Sequence, residues 1–171
     1  MRRELLIGCG NNRIKCLGTH GHTEWEGLVT LDDKEDCGAD IVHDLEDIPY
    51  PFQDEEFDEI HAYCVLEHCG RQGDYEFFFA QFTEFWRILK PRGLILGYSP
   101  KPDSLWAFAD PSHTRVIAPE TLKFLQQSSY LGVGQCTISD FRSIYKVDFE
   151  VMKLEDYDMN RHAFCLIKQE I

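Results

Sequence analysis

With 171 residues, 43% of them apolar and 27% charged, the chain has the length of one domain and the composition of an ordinary globular protein. No apolar run approaches the roughly 20 residues that span a bilayer, and the few apolar residues after Met1-Arg2-Arg3-Glu4 are too short for a secretory leader, so no membrane association is expected. The net charge of −13 is concentrated, with thirteen acidic residues and one basic residue, Lys34, between Asp32 and Glu59; that region should avoid phosphate backbones, which disfavours nucleic acid as a partner.

In chain order, Glu4–Gly8 (ELLIG) is a short apolar run closed by glycine and predicts a buried strand. Leu28–Asp32 (LVTLD), Ala39–His43 (ADIVH) and Phe57–Tyr63 (FDEIHAY) predict the second, third and fourth strands, and Arg92–Tyr98 the fifth, entered through Pro91-Arg92-Gly93. Tyr75, Phe78, Phe79, Phe82, Phe85, Trp86 and Leu89 recur at helical spacing, with acids in the first turn and Arg87 and Lys90 in the last, so a core-facing helix lies between strands four and five. A second helix is expected from Pro119 to about Gln127, and Phe149–Leu154 with His162–Lys168 predict an antiparallel hairpin. Alternation of strands with helical or polar segments, without repeats or linkers, predicts a single α/β domain over residues 1–171. The seven cysteines are scattered and never form C-x-x-C, which argues against a disulfide framework or zinc ribbon and for a reducing, cytoplasmic compartment.

A strand ending in Gly8-Cys9-Gly10 is a candidate nucleotide turn, since glycine permits positive φ and a close approach of ligand to main chain. The third glycine of the dinucleotide fingerprint would fall at Arg13 and is missing. Asp32, at the end of the second strand, is placed to accept hydrogen bonds from ribose hydroxyls, with Asp33 as the alternative if the register slips by one. These features alone do not separate NAD from S-adenosylmethionine.

The runs ELLIGCGNN, LVTLDD, DIVHDLEDIPYPFQDEEFDEIHAYCVLEH, FWRILKPRGLI and DPSHTRVIAPETLKFL, in this order, resemble the class I S-adenosylmethionine-dependent methyltransferases, particularly the methyltransferase type 11 family. The resemblance implies a Rossmann-like methyltransferase fold, a mostly parallel sheet with helices on both faces, and S-adenosyl-L-methionine as cofactor. It implies that Gly8, Cys9, Gly10 and Asn11 pack on the cofactor, that Asp32 takes the ribose, that Asp44 takes the adenine amino group with Leu45 beside the ring, and that Cys64 lines the methionine end. The chain departs from the family between Asn11 and Gly27, where three glycines and no amphipathic period predict a loop in place of the usual first helix. The first strand also begins almost at once, so the acceptor site is expected to be open unless a second subunit, as in a homodimer, or another partner closes it.

Methyl transfer needs proximity in a dry pocket, and a base only when the nucleophile must lose a proton. His68, closing V-L-E-H, and His113, in D-P-S-H-T-R, are the candidates for catalytic roles; the competing reading is that they, with Arg115, pin a loop. Glu67 reads as structural, and His20 with His22 as a surface loop without a third metal ligand. The leading expectation is a methyltransferase for a small-molecule or glycan-like acceptor. Base methylation loses ground because Ala62-Tyr63-Cys64-Val65 stands where amino-methylases carry an N/D-P-P-Y/F run. A non-catalytic S-adenosylmethionine-binding or regulatory subunit, and an NAD-dependent oxidoreductase, are the remaining alternatives.

Overall fold

The computed structural model describes residues 2–19 and 22–170. Its elements run β1 (Glu4–Ile7), β2 (Leu28–Asp32), β3 (Ile41–Val42), β4 (Phe57–Tyr63), α1 (Tyr75–Ile88), β5 (Leu89–Pro100), α2 (Trp106–Ala109), α3 (Pro119–Leu122), β6 (Phe149–Asp156) and β7 (Arg161–Lys168). The strands form one sheet in the order β3-β2-β1-β4-β5-β7-β6. The pairs from β3 to β5 are parallel, while β7 runs antiparallel to both neighbours. Strand order reverses at β1, which pairs with β2 on one side and β4 on the other, and such a reversal opens a crevice at the carboxyl ends of the strands.

Alternation along the strands assigns the two faces of the sheet. Leu5, Ile7, Ile60, Ala62, Ile95 and Leu166 join the buried α1 residues Phe78, Phe79, Phe82, Phe85 and Ile88 in one core. The helix starts at Asp74, whose side chain accepts from the Phe77 N–H at 3.0 Å, and Arg87 favours the dipole at its other end. Tyr75, on the predicted apolar stripe, is exposed, whereas Gln81 and Glu84 are buried on the helix. Glu84 is satisfied by the Tyr50 N–H at 3.0 Å and by Arg87. Truncating a core ring such as Phe82 should cost about 3–5 kcal/mol.

Three elements differ from the sequence expectation. β3 is only two residues long because Asp40 Oδ2 accepts from both the N–H (2.9 Å) and the hydroxyl (2.8 Å) of Thr30, occupying a donor that a longer ladder would use. β5 starts directly after α1, and Pro91-Arg92-Gly93 forms an irregularity inside it, with Arg92 at φ +61° and a register shift opposite Phe57–Glu59. The helix from Pro119 stops at Leu122 and continues as 3-10 turns, since Gln127 turns out to hydrogen-bond Asp148, Tyr145 and Val147.

The opposite face of the sheet carries Glu4, Leu6, Glu59, His61, Tyr63, Leu96 and Tyr98. No helix occurs between β1 and β2 among the described residues, as the glycines of that segment predict. The second helical layer is thus reduced, and part of the segment from residue 11 to 27 lies across the face as irregular chain. Lys15 Nζ reaches Glu4 Oε2 at 2.7 Å with both side chains buried, and Arg2 bonds Glu4 and Glu59. Thr19 donates to Glu59 at 2.8 Å, and the Leu17 N–H donates to the Tyr63 hydroxyl at 3.1 Å. Trp25 packs edge-on against His61 at 4.8 Å. Two buried carboxylates are thereby met by two cations and a histidine, which compensates for the desolvation that an unpaired buried acid would suffer. No helix among the described residues is long and apolar enough to cross a membrane. His20 lies outside the described residues; His22 is exposed, 3.6 Å from Glu26.

Candidate cofactor cleft

Gly8, Asp32, Asp33, Asp44, Leu45, Glu46, Val65, His68 and Cys69 line a cleft at the strand-order reversal, enclosing about 110 Å³. The two glycines of the first turn serve different purposes. Gly8 has φ +58°, and a Cβ there would stand 2.2 Å from Val65 Cγ2, so glycine is needed for the close crossing of the β1 and β4 ends. Gly10 has φ +46° but nothing within 4 Å of its absent Cβ, so its main chain stays open to a ligand.

Asp32 ties the turn to the cleft. Its Oδ2 accepts from the Gly10 N–H at 2.7 Å and its Oδ1 from the Lys34 N–H at 3.1 Å. Burial alone would push this carboxyl up, but the Gly10 and Lys34 N–H donors outweigh it and hold it below its usual range. A carboxylate has about four lone-pair sites, so two stay free for a pair of hydroxyls. Arg13, where the dinucleotide fingerprint would have glycine, donates to the Gly10 and Cys37 carbonyls and clamps the turn onto the β2–β3 connection. Periodicity offered no signal for that clamp.

On the far side of the cleft, Asp44 Oδ1 accepts from the Glu46 N–H at 2.8 Å and its side chain is exposed. Leu45 is buried, and its carbonyl accepts from the Tyr50 hydroxyl at 3.1 Å. Glu46 accepts from the Gly70 N–H at 2.7 Å, which fastens this wall to the segment following β4. Asp33 lines the cleft but is largely exposed, as is Asn11 on the glycine turn. Cys9 is buried, and burial raises its thiol to about 11; it stands outside the cleft lining, grouped with Asp32 and Cys37.

Cys64 occupies the turn directly after β4 in a left-handed conformation, φ +49°, with its N–H donating to the Tyr98 carbonyl at 2.9 Å. Such a backbone costs a non-glycine residue about 1–3 kcal/mol and is characteristic of ligand sites. Burial, followed by the Glu67 charge, pushes the thiol to about 12, so it is a neutral packing group at pH 7.

The two histidines come together although 45 positions separate them: their ring centroids are 4.7 Å apart at an interplanar angle of 78°. His68 lines the cleft, and its Nδ1 contacts the Ser112 carbonyl at 3.3 Å. His113 Nε2 is 3.8 Å from Asp110. Glu67 joins them: it is buried, accepts from the Ser99 hydroxyl at 3.1 Å, and burial raises its carboxyl above the usual range. Arg115 donates to the Leu66 carbonyl at 2.8 Å and to Gln81 at 2.5 Å, fixing the loop that carries His113. Sequence reasoning treated Glu67 as structural; its meeting with His113 depends on β5 lying beside β4.

The methyltransferase domain family model matches residues 5–97, more than half of the chain. The chain belongs to this family. Solved structures of similar fold include a SAM-dependent methyltransferase from Archaeoglobus fulgidus, with 19% identity, TM-score 0.59, and 98% of this chain and 86% of that one covered. Another is the YcgJ protein from Bacillus subtilis, with 16% identity, TM-score 0.57, and coverage of 99% and 93%. A third is the methyltransferase from Haloferax volcanii in complex with the Trm112 methyltransferase activator, with 12% identity, TM-score 0.59, and coverage of 99% and 83%. No curated protein sequence matches the chain. The chain has the class I Rossmann-like fold, and its family cofactor is S-adenosylmethionine. The residues present fit that group: an acid with two free acceptor sites beside an open glycine turn suits a ribose, and Asp44 offers a free carboxylate oxygen next to the apolar Leu45. The enclosed volume is below the roughly 300 Å³ of small ligand pockets, so a bound cofactor would extend beyond the enclosed part of the cleft.

Proposed function

We propose that the chain is an S-adenosylmethionine-dependent methyltransferase, formed by a single domain, that acts on a small acceptor. The observation that carries this reading is the convergence of Gly8, Asp32, Asp44, Leu45 and His68 on one cleft at the strand-order reversal. Asp32 binds the ribose hydroxyls, Asp44 accepts from the adenine amine, the Leu45 main chain flanks the ring, and Cys64 packs at the methionine end. When bound, the cofactor would supply a methyl group activated by a positively charged sulfur, which would keep the electron pair of the broken carbon–sulfur bond. His68 and His113 stand at the acceptor side, where either positions a nucleophile or takes its proton when it is a hydroxyl.

A cavity of about 270 Å³ supports a small, partly apolar acceptor. Tyr75, Phe78, Phe79, Phe124 and Phe141 line it, and its Arg115–Ile117 wall also borders Glu67 and His113. This favours a small molecule over a nucleic acid, in keeping with the acidic segment around Asp32–Glu59. The free thiols agree with a cytoplasmic location. The Haloferax neighbour is a complex with an activator, which supports a partner or second subunit covering the open acceptor side. The alternative, cofactor binding without catalysis, shares every cofactor contact.

Two measurements on the purified chain test the proposal. Calorimetric titration should give micromolar binding of S-adenosylmethionine and none of NAD. Transfer of labelled methyl to a mixed set of small hydroxyl, amine and carbon acceptors should then separate an enzyme from a binding subunit. Absence of cofactor binding sinks both readings; binding without transfer to any acceptor favours the non-catalytic one.

A further inference from the structure

Beside the cofactor cleft, two buried polar atoms lack partners in a way the cofactor contacts do not explain. Glu67 is 1% exposed; its Oε2 accepts from Ser99 at 3.1 Å, but its Oε1 has no hydrogen-bond partner. His113 has an 8% exposed side chain, and its buried Nδ1 is equally unpartnered. Leaving such groups unsatisfied forfeits their hydration without return. Among the described residues no lysine or arginine pairs with Glu67, because the Arg115 guanidinium is directed to Leu66 and Gln81 instead. One ligand atom from each of Glu67, His68 and His113 lies within 4.8 Å of the other two.

We propose that Glu67, His68 and His113 hold a divalent transition-metal cation at the edge of the cofactor cleft. A carboxylate and two neutral imidazoles are the donor set that such ions prefer, and three protein ligands leave a position open. The tautomers suit the role. His68 Nδ1–H donates to the Ser112 carbonyl at 3.3 Å, leaving the Nε2 lone pair free. His113 has Asp110 3.8 Å from Nε2, leaving Nδ1 as its ligand atom. Three ligands bonded at about 2.1 Å to one tetrahedral ion stand about 3.4 Å apart, so the cluster must tighten by up to about 1.4 Å. His68, only partly buried, is free to make that movement.

Two other groupings of possible ligands lack this vacancy. In Glu4–Glu59–His61 the acids are already met by Lys15 and Arg2, and in Cys9–Asp32–Cys37 the acid has no buried oxygen without a partner. With the ion bound, His68 and His113 serve as ligands and not as bases, and the ion holds a hydroxyl or carbonyl oxygen of the acceptor beside the methyl donor. That role rests on the methyl-transfer reading above; the binding of the ion does not.

The test uses the untagged full chain, freed of metal by a chelator and titrated with Co²⁺, followed both by calorimetry and by visible absorption. The expected result is one Co²⁺ per chain with the absorption bands of a four- or five-coordinate site. Glu67→Gln and His113→Ala should each weaken binding at least about tenfold, while His22→Ala leaves it unchanged. Near-UV circular dichroism checks folding of each variant, and His68→Asn, at a partly exposed side chain, replaces any variant that fails to fold. Absence of a one-to-one site in the wild type, or equal affinity in the folded variants, overturns the proposal. Titration of the same samples with S-adenosylmethionine keeps the two readings apart: cobalt bound without cofactor sinks the methyltransferase reading alone, and cofactor bound without cobalt sinks the metal site alone.

Discussion

Lys15 Nζ lies 2.7 Å from Glu4 Oε2, with the two side chains 1% and 0% exposed. This pair stands where the family's first helix would otherwise cover the sheet, and it draws the chain around residue 15 across β1 and β4. Removing one member strands a buried charge, which typically costs about 3–5 kcal/mol. Lys15→Met should therefore lower stability by about that amount in urea unfolding. The double variant Lys15→Met/Glu4→Gln should recover part of the loss; no recovery would mean that packing, not charge, dominates.

Glu59, next to Glu4 across the β1–β4 ladder, sets an acid limit. Burial raises its carboxyl, but hydrogen bonds from His61 and Thr19 and the charge of Arg2 outweigh burial and bring it from 4.5 to about 2. The folded value is depressed, so its contribution is complete above about pH 4.5 and is lost as pH falls toward 2. Stability measured by urea unfolding should decline across that window, and Glu59→Gln should flatten the decline while lowering stability at pH 7.

Asp32, which we propose takes the ribose, also fastens the Gly10 N–H at 2.7 Å. Asp32→Ala should weaken S-adenosylmethionine by about a hundredfold in calorimetry, or about 3 kcal/mol for charge-assisted hydrogen bonds. Asp33→Ala, at an exposed side chain, should change affinity much less. Equal losses in both variants would point to the charge of the acidic run instead of a specific contact.

Gly8 should tolerate no side chain. Its φ of +58° disfavours any L-residue, and a Cβ would meet Val65 Cγ2 at 2.2 Å. Gly8→Ala should lose about 2–4 kcal/mol from strain and overpacking together. Adding Val65→Ala should return the overpacking part and leave the backbone part, read as a partial recovery of the melting temperature.

Much of the fold was legible because it is local. Alternation and glycine closure predicted β1, β2 and β4 almost to the residue, and the aromatic spacing placed α1 between Asp74 and Leu89. Gly8, Asp32, Asp44 and Leu45, each at or just after the end of a strand, were singled out in the sequence and line one cleft in the structure. The lengths of β3 and α3 were not legible, since Asp40 and Gln127 choose tertiary hydrogen bonds over continuation of the local element.

The sequence by itself thus determined the strands and the long helix, which follow from residue types at short spacing, while the family and the kind of cofactor came from the resemblance carried by its ordered motifs. Only the tertiary structure decided that Arg13 clamps the Gly10 turn, that Lys15 neutralises Glu4 beneath an irregular segment, and that Glu67 meets a histidine 46 positions away. Those contacts depend on which strands become neighbours in the sheet, and adjacency of that kind is fixed by the packing of the whole chain, leaving no trace in local periodicity.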